Sequence, residues 1–220
     1  MSSGGAAPPV VALGEAAWTV VLGDRVDRAL HERVTALVTA LGEAALPGVL
    51  EIVPAYAAVT VFFDPAAADA DALRDTLARM ATDLTFRPSV LPSERLLTIP
   101  VTYDGPDLDE VASRTGLSRD DVILRHTAPE YRVYLLGFAP GFAYLGDLDP
   151  SLVLPRRSSP RTRVPAGSVA IAGAQTGVYP LATPGGWHLI GTTPLAMFDP
   201  ARAPAVLLRA GDRVRFEKTP

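Results

Sequence analysis

Four arginines, Arg156, Arg157, Arg161 and Arg163, fall within the nine residues PRRSSPRTR. Guanidinium forks match the paired oxygens of carboxylates and phosphates, so this spacing suits the recognition of an anion or the stabilisation of negative charge. A solvated basic loop would read the same way, and the neighbouring segment bears on the choice without closing it. Residues 164–191 hold six glycines and three prolines and no Asp, Glu, Lys or Arg. Solvated turns carry polar side chains, whereas stiff, uncharged turns read as a surface covered by a ligand, a lid or another chain. GFAPGFAYLGDL (137–148) has the same character, with three glycines and one proline. Gln175, Thr176 and Tyr179 in GAQTGVY offer an amide and two hydroxyls, and Gly173 and Gly177 would let a ligand approach the backbone. The bland alternative is a hairpin that satisfies its own polar groups. In PGGWHLIG, Trp187 and His188 face opposite sides of a strand, so one packs in the core while the other is free to line a pocket. His126 stands at a helix end, where an imidazolium suits the dipole. His31 reads as lying on the exposed side of the first helix, with no chemical role.

Several chemistries are excluded. The chain has no cysteine, which removes disulfides, thiolate nucleophiles and cysteine metal sites, and points to a reducing, cytoplasmic setting. A net charge of −4 over 220 residues argues against non-specific nucleic-acid binding. DEVASRTGLSRDDVILRH carries helix-turn-helix spacing, but Asp120 and Asp121 would repel phosphate at the start of its second helix. No P-loop or nucleophile elbow occurs, the three histidines show no metal-ligand spacing, and no metal site is expected. No run of about 18 apolar residues suggests a membrane span, and the N-terminus has no basic region before an apolar stretch, so no signal peptide is expected.

The elements that must position these residues divide in two. Residues 1–14, rich in Gly, Ala and Pro, read as a disordered lead-in. From 15 to 95 the pattern is β-α-β-β-α-β. Trp18–Gly23 is a strand, and a helix capped by Asp24 and Asp27 follows with Val26, Leu30, Val34, Leu37 and Leu41 on one face and Gly42 as its stop. VLEIVP and AAVTVFF are strands, Leu73, Leu77, Met80 and Leu84 mark a second helix, and RLLTIPVTYD returns as a strand. This predicts an α+β sandwich, an antiparallel sheet with both helices on one face. Prolines cluster around residues 88–106, and 96–220 forms the second domain. There Asp107 and Glu110 cap a helix ended by Gly116, and Ser118 caps the next. YRVYLLG, VAIAG, WHLIG and DRVRFE then alternate with Gly/Pro turns in the manner of a β-barrel.

YLLGFAPGFAYLGDL, PRRSSPRTRVPAGSVAIAGAQTGVYPLATPGGWHLIG, VTYDGPDLDEVASRTGL and AGDRVRF together closely resemble the 5-oxoprolinase B-subunit family, also called KipI or allophanate hydrolase subunit 1. The resemblance runs from about Trp18 to Phe216. It implies an α+β domain followed by a cyclophilin-like β-barrel. It also implies a KipA-like (allophanate hydrolase subunit 2-like) partner and a LamB/YcsF-like partner, with which such chains open 5-oxoproline to glutamate at the expense of ATP. The nucleotide would be shared with or bound by the partners, and the isolated chain would be inactive. Two other activities occur in the family or beside it: inhibition of a sensor histidine kinase, and a carboxyltransferase role in a urea-carboxylase-like system. Under the first reading, His188 and Arg161 are the expected catalytic groups. Arg163, Gln175, Tyr179, Gly141 and Phe142 would bind substrate, and Phe138, Pro140, Pro184 and Trp187 would form the partner interface. Where many members read GRT, this chain has Gly191-Thr192-Thr193, so Thr192 is not counted in the site.

Overall fold

The computed structural model describes residues 8–25, 28–83 and 95–219. It divides into two compact units, 1–91 and 92–220.

The first unit is one antiparallel sheet and two helices. Its strands are β1 (Val10–Ala12), β2 (Ala17–Val21), β3 (Val49–Pro54) and β4 (Ala58–Phe63), in the order β1-β2-β4-β3. Period-two alternation sends Val59, Val61 and Phe63 to the core and leaves Phe62 partly exposed. The helices are α1 (Arg28–Ala44) and α2 (Ala70–Thr82), and their apolar stripes close that core from one face. Three expectations need correction. Val10–Ala12 is not disordered lead-in: it pairs with β2 as an edge strand. His31 is buried at 3% exposure, because it lies three residues before Val34 on the same helical stripe. Gly42 does not stop α1, which runs on to Ala44 before Ala45 turns the chain with φ 43°. Asp27, Val26 and Leu84 lie outside the described residues, and with Asp27 goes the expected capping box. Asp69 caps α2 by accepting from the Ala72 amide at 3.0 Å.

The second unit is a barrel. Its strands are β5 (Leu96–Val101), β6 (Tyr131–Leu136), β7 (Ala143–Gly146), β9 (Ser168–Ala172), β10 (Gln175–Val178), β12 (His188–Thr192) and β13 (Arg213–Lys218). They run in the order β12-β9-β10-β7-β6-β13-β5. RLLTIPVTYD therefore joins the second sheet and not the first. There β5 lies parallel to β13, with Leu96 opposite Arg213. The ring closes where Thr102 and Thr192 exchange backbone hydrogen bonds of 2.9 and 2.8 Å. Thr192 is thus a seam residue, and its hydroxyl donates to Asp104 at 3.0 Å. A two-stranded flap, β8 (Arg161–Val164) with β11 (Thr183–Gly185), covers one side. As a result β9 is buried along its whole length.

Two short helices, α3 (Leu108–Thr115) and α4 (Arg119–Thr127), pack on the barrel. Gly116 ends α3 in the left-handed conformation and Ser118 caps α4, as the sequence predicts, and Asp121 completes a full capping box with Ser118. Tyr131, Val133, Leu145, Ile171, Ile190, Val214 and Phe216 fill the barrel together with the fully buried His126. Thr176 donates to the Ala170 carbonyl at 3.0 Å, so its oxygen must accept from His126 Nε2 at 2.8 Å. That fixes the tautomer: His126 Nδ1 accepts from the Tyr103 hydroxyl at 2.7 Å. Thr176 therefore belongs to the core hydrogen-bond chain and does not face a ligand.

Candidate functional site

One carboxylate organises the arginine segment. Asp107 occupies the N-cap position of α3, yet its side chain caps nothing. Its Oδ1 instead accepts from Arg161 Nη2 at 2.6 Å and from Arg157 Nη1 at 2.9 Å. Its Oδ2 accepts from the Leu189 amide at 2.7 Å, and its own amide donates to the Leu189 carbonyl at 2.9 Å. Arg157 Nη1 also donates to Glu110 Oε2 at 2.8 Å, which Arg114 joins from one turn along α3. The helix start, the flap and β12 are thereby tied to one buried aspartate, which is 3% exposed. Hydrogen bonds and charge from Arg114 and Arg157 overcome desolvation and hold the Glu110 carboxyl below its ordinary range.

The inner arginines are neutralised by these two carboxylates. They still keep unused donors: Arg157 Nε and Arg161 Nη1 are buried atoms without a hydrogen-bond partner among the described residues. Arg156 and Arg163, by contrast, are exposed and make no ion pair among the described residues. The stretch 150–198 contains no Asp or Glu, so these outer charges stand uncompensated.

Beside the arginines lies an aromatic cluster. Phe142 stands edge-on to Tyr144 at 4.8 Å, to Tyr179 at 5.3 Å and to Trp187 at 5.5 Å between ring centres. Phe138 caps the cluster, 5.4 Å from Phe142, and remains 61% exposed with φ 70°. Gly185 must be glycine: a Cβ there would come within 2.3 Å of the Tyr179 hydroxyl. It also faces Arg161 across the flap, which joins the aromatic cluster to the arginines. Burial raises the Tyr179 hydroxyl pKa, against a hydrogen bond from the Trp187 backbone and the charges of Arg156 and Arg161. Burial likewise raises that of Tyr144, against the charge of Arg156. Exposed Phe138, Pro140, Leu181 and Pro184 form an apolar rim.

The family profile described as carboxyltransferase domain, subdomain C and D, matches residues 8–208. A chain of Bacillus subtilis (strain 168), named as the B subunit of 5-oxoprolinase, is 43% identical over 93% of this chain and 90% of its own length. The chain belongs to the 5-oxoprolinase B-subunit family. The crystal structure of TTHA0988 superposes with a TM-score of 0.80 at 45% identity, covering 93% of this chain. This chain spans only 40% of that polypeptide. The Kluyveromyces lactis urea carboxylase shares the fold, with a TM-score of 0.78 at 20% identity over 96% of this chain and 22% of its own.

Within this family fold, Arg161 and His188 lie on neighbouring elements joined through Asp107 and Leu189. His188 is fully buried. Its Nε2 pairs with the Pro155 carbonyl at 3.0 Å, and its Nδ1 lies 3.9 Å from Glu110 Oε1. Gln175 is half-buried, with Nε2 lacking a partner among the described residues. Four expected assignments need revision. Phe142 and Tyr179, each 2% exposed, present packing surfaces and not open faces. Gly141, at φ 82°, is buried where a Cβ would meet Phe198 Cβ at 2.8 Å, so it shapes the turn and does not admit substrate. Trp187, 5% exposed, supports the rim from beneath, whereas Phe138, Pro140 and Pro184 are exposed as an interface requires. Two cavities, of 470 and 320 Å³, open on the first unit, and neither includes any of these residues. By sequence alone Asp107 reads as a helix cap. The one signal of its real role is charge balance, since four arginines in an acid-free stretch need a carboxylate from elsewhere.

Proposed function

We propose that this chain is one subunit of an ATP-dependent 5-oxoprolinase, opening 5-oxo-L-proline to L-glutamate together with a KipA-like and a LamB/YcsF-like polypeptide. The observation that carries the reading is the near full-length match to a chain named as the B subunit of 5-oxoprolinase. The arginine site and the apolar rim agree with it. A five-membered lactam resists attack through amide resonance, and phosphorylation of its oxygen by ATP supplies a leaving group. This chain's part is to bind and orient. The Arg157 and Arg161 guanidiniums, on side chains 27% and 26% exposed, offer N–H donors suited to the substrate carboxylate or to a phosphoryl oxygen, and such preorganised donors stabilise developing charge. Arg163 lies outside this pair and adds positive field. Gln175 offers its amide. His188 is too deeply buried to meet substrate in this chain, so proton transfer falls to a companion, and the rim of Phe138, Pro140, Leu181 and Pro184 is where that companion closes the site and excludes water. Among the described residues no group of three or more His, Asp or Glu could hold a metal ion. No described helix is long and apolar enough to cross a membrane.

Co-expression with the two companion polypeptides, followed by an assay of glutamate release from 5-oxoproline, tests the reading. The expected result is ATP-dependent release by the three together and none by this chain alone. No release from any combination overturns the reading in favour of a histidine-kinase inhibitor.

A further inference from the structure

We propose that Asp107 is a positioning residue, whose buried carboxylate holds the Arg157 and Arg161 guanidiniums side by side so that their remaining N–H groups meet the substrate anion. The proposal rests on the 5-oxoprolinase reading, in which Arg161 contacts that anion. An aspartate at a helix N-cap ordinarily accepts from the amides of the first turn. Asp107 makes no such bond, and its carboxylate reaches away from α3 to the flap and β12. Two like charges share a single oxygen, Arg161 at 2.6 Å and Arg157 at 2.9 Å, an arrangement that repulsion would disperse without the intervening carboxylate. The second oxygen is fixed by the Leu189 amide, so the pair is registered against the strand that carries His188. Each guanidinium is thus oriented through one edge, while 27% of the Arg157 side chain and 26% of the Arg161 side chain stay exposed. The remaining N–H groups on two neighbouring guanidiniums are the complement of a two-oxygen anion.

Two measurements test this. The first is a double-mutant cycle in the reconstituted complex with Asp107→Asn and Arg161→Ala. Loss of an anion-contacting donor costs about 10²–10³ in rate. Asp107→Asn should lower kcat/KM for 5-oxoproline by at least about tenfold, and the double variant should be no worse than about threefold below the weaker single variant. Multiplying effects, or Asp107→Asn within threefold of wild type, overturn the proposal. The second uses the isolated chain and needs no activity. The arginine Nε–H resonances of Arg157 and Arg161 should be dispersed and slow to exchange in wild type, and should collapse to the free-arginine position in Asp107→Asn with far-UV circular dichroism unchanged. Unmoved resonances overturn it. Should Asp107→Asn fail to fold, Asp107→Glu keeps the charge but displaces it by one methylene. An unchanged melting temperature with at least tenfold lower kcat/KM supports positioning, and full activity overturns it. A wild-type complex that releases no glutamate defeats the functional reading instead, and the resonances then decide the positioning claim by themselves.

Discussion

His126 makes the barrel acid-sensitive in a way that can be calculated. Its ring lies in the core, 4.5 Å from the Phe216 ring centre, between the Tyr103 hydroxyl and the Thr176 hydroxyl. Burial lowers its pKa from the ordinary 6.5 to about 3. A base with a depressed folded pKa binds protons in the unfolded chain first, so its stabilisation is complete above pH 6.5 and is lost as pH falls towards 3. The slope is about 1.4 kcal/mol per pH unit, which gives a loss of about 2 kcal/mol between pH 7.5 and pH 5. His126→Gln keeps a neutral polar side chain but cannot serve both partners. At pH 7.5 it should cost about 1–3 kcal/mol through the hydroxyl left unsatisfied. Having no ring to protonate, it escapes the acid penalty, so the gap between wild type and variant should shrink by about 2 kcal/mol at pH 5. Urea titrations at the two pH values, followed by Trp187 fluorescence in a Trp18→Phe background, isolate the second unit. A gap that stays constant within about 0.5 kcal/mol would refute the reasoning.

Phe138 holds a left-handed backbone and an exposed ring, so Phe138→Gly should move the melting temperature of the isolated chain by less than about 2 °C. The same variant should weaken capture of the companion polypeptides by at least about tenfold in a titrated pull-down, as expected for an aromatic anchor. Gly141→Ala combines a φ of 82° with a Cβ 2.8 Å from Phe198 Cβ and 3.0 Å from the Met197 carbonyl. It should destabilise the second unit by about 2–3 kcal/mol in the same urea assay, and a cost under about 0.5 kcal/mol would contradict that close packing.

Local periodicity carries much of the fold. The stripe of Val34, Leu37 and Leu41, the alternation in VTVFF and the Ser118 cap all come from neighbours within four residues, and each appears where the sequence places it. Long-range choices are not visible. Nothing in RLLTIPVTYD says that it pairs with a strand 117 residues later, because an apolar run fits either sheet. The site divides along the same line. Arginine density is readable from the segment itself, but the Asp107 carboxylate comes from about 50 residues upstream. Aspartate before a helix has a local meaning as a cap, and that meaning hides the distant one. Tyr179 and Phe142 are expected at the substrate and Trp187 at the partner interface, in segments whose glycines suggest open backbone. Those glycines in fact make room for the rings themselves, as at Gly185 against Tyr179 and at Gly177, whose Cβ would stand 3.4 Å from Trp187.

The way the barrel shuts has a consequence for how the polypeptide matures. The strand that opens the second unit, β5, is bonded on one side to β13 and on the other, through Thr102, to the end of β12. A nascent chain on the ribosome therefore cannot complete the ring until the segment around Arg213–Lys218 has emerged, and until then β5 waits with its β13 edge unpaired. Such late, distant pairing makes for slow folding and leaves exposed strand edges open to aggregation. Removing the last few residues should accordingly cost the whole barrel and not merely its terminal strand.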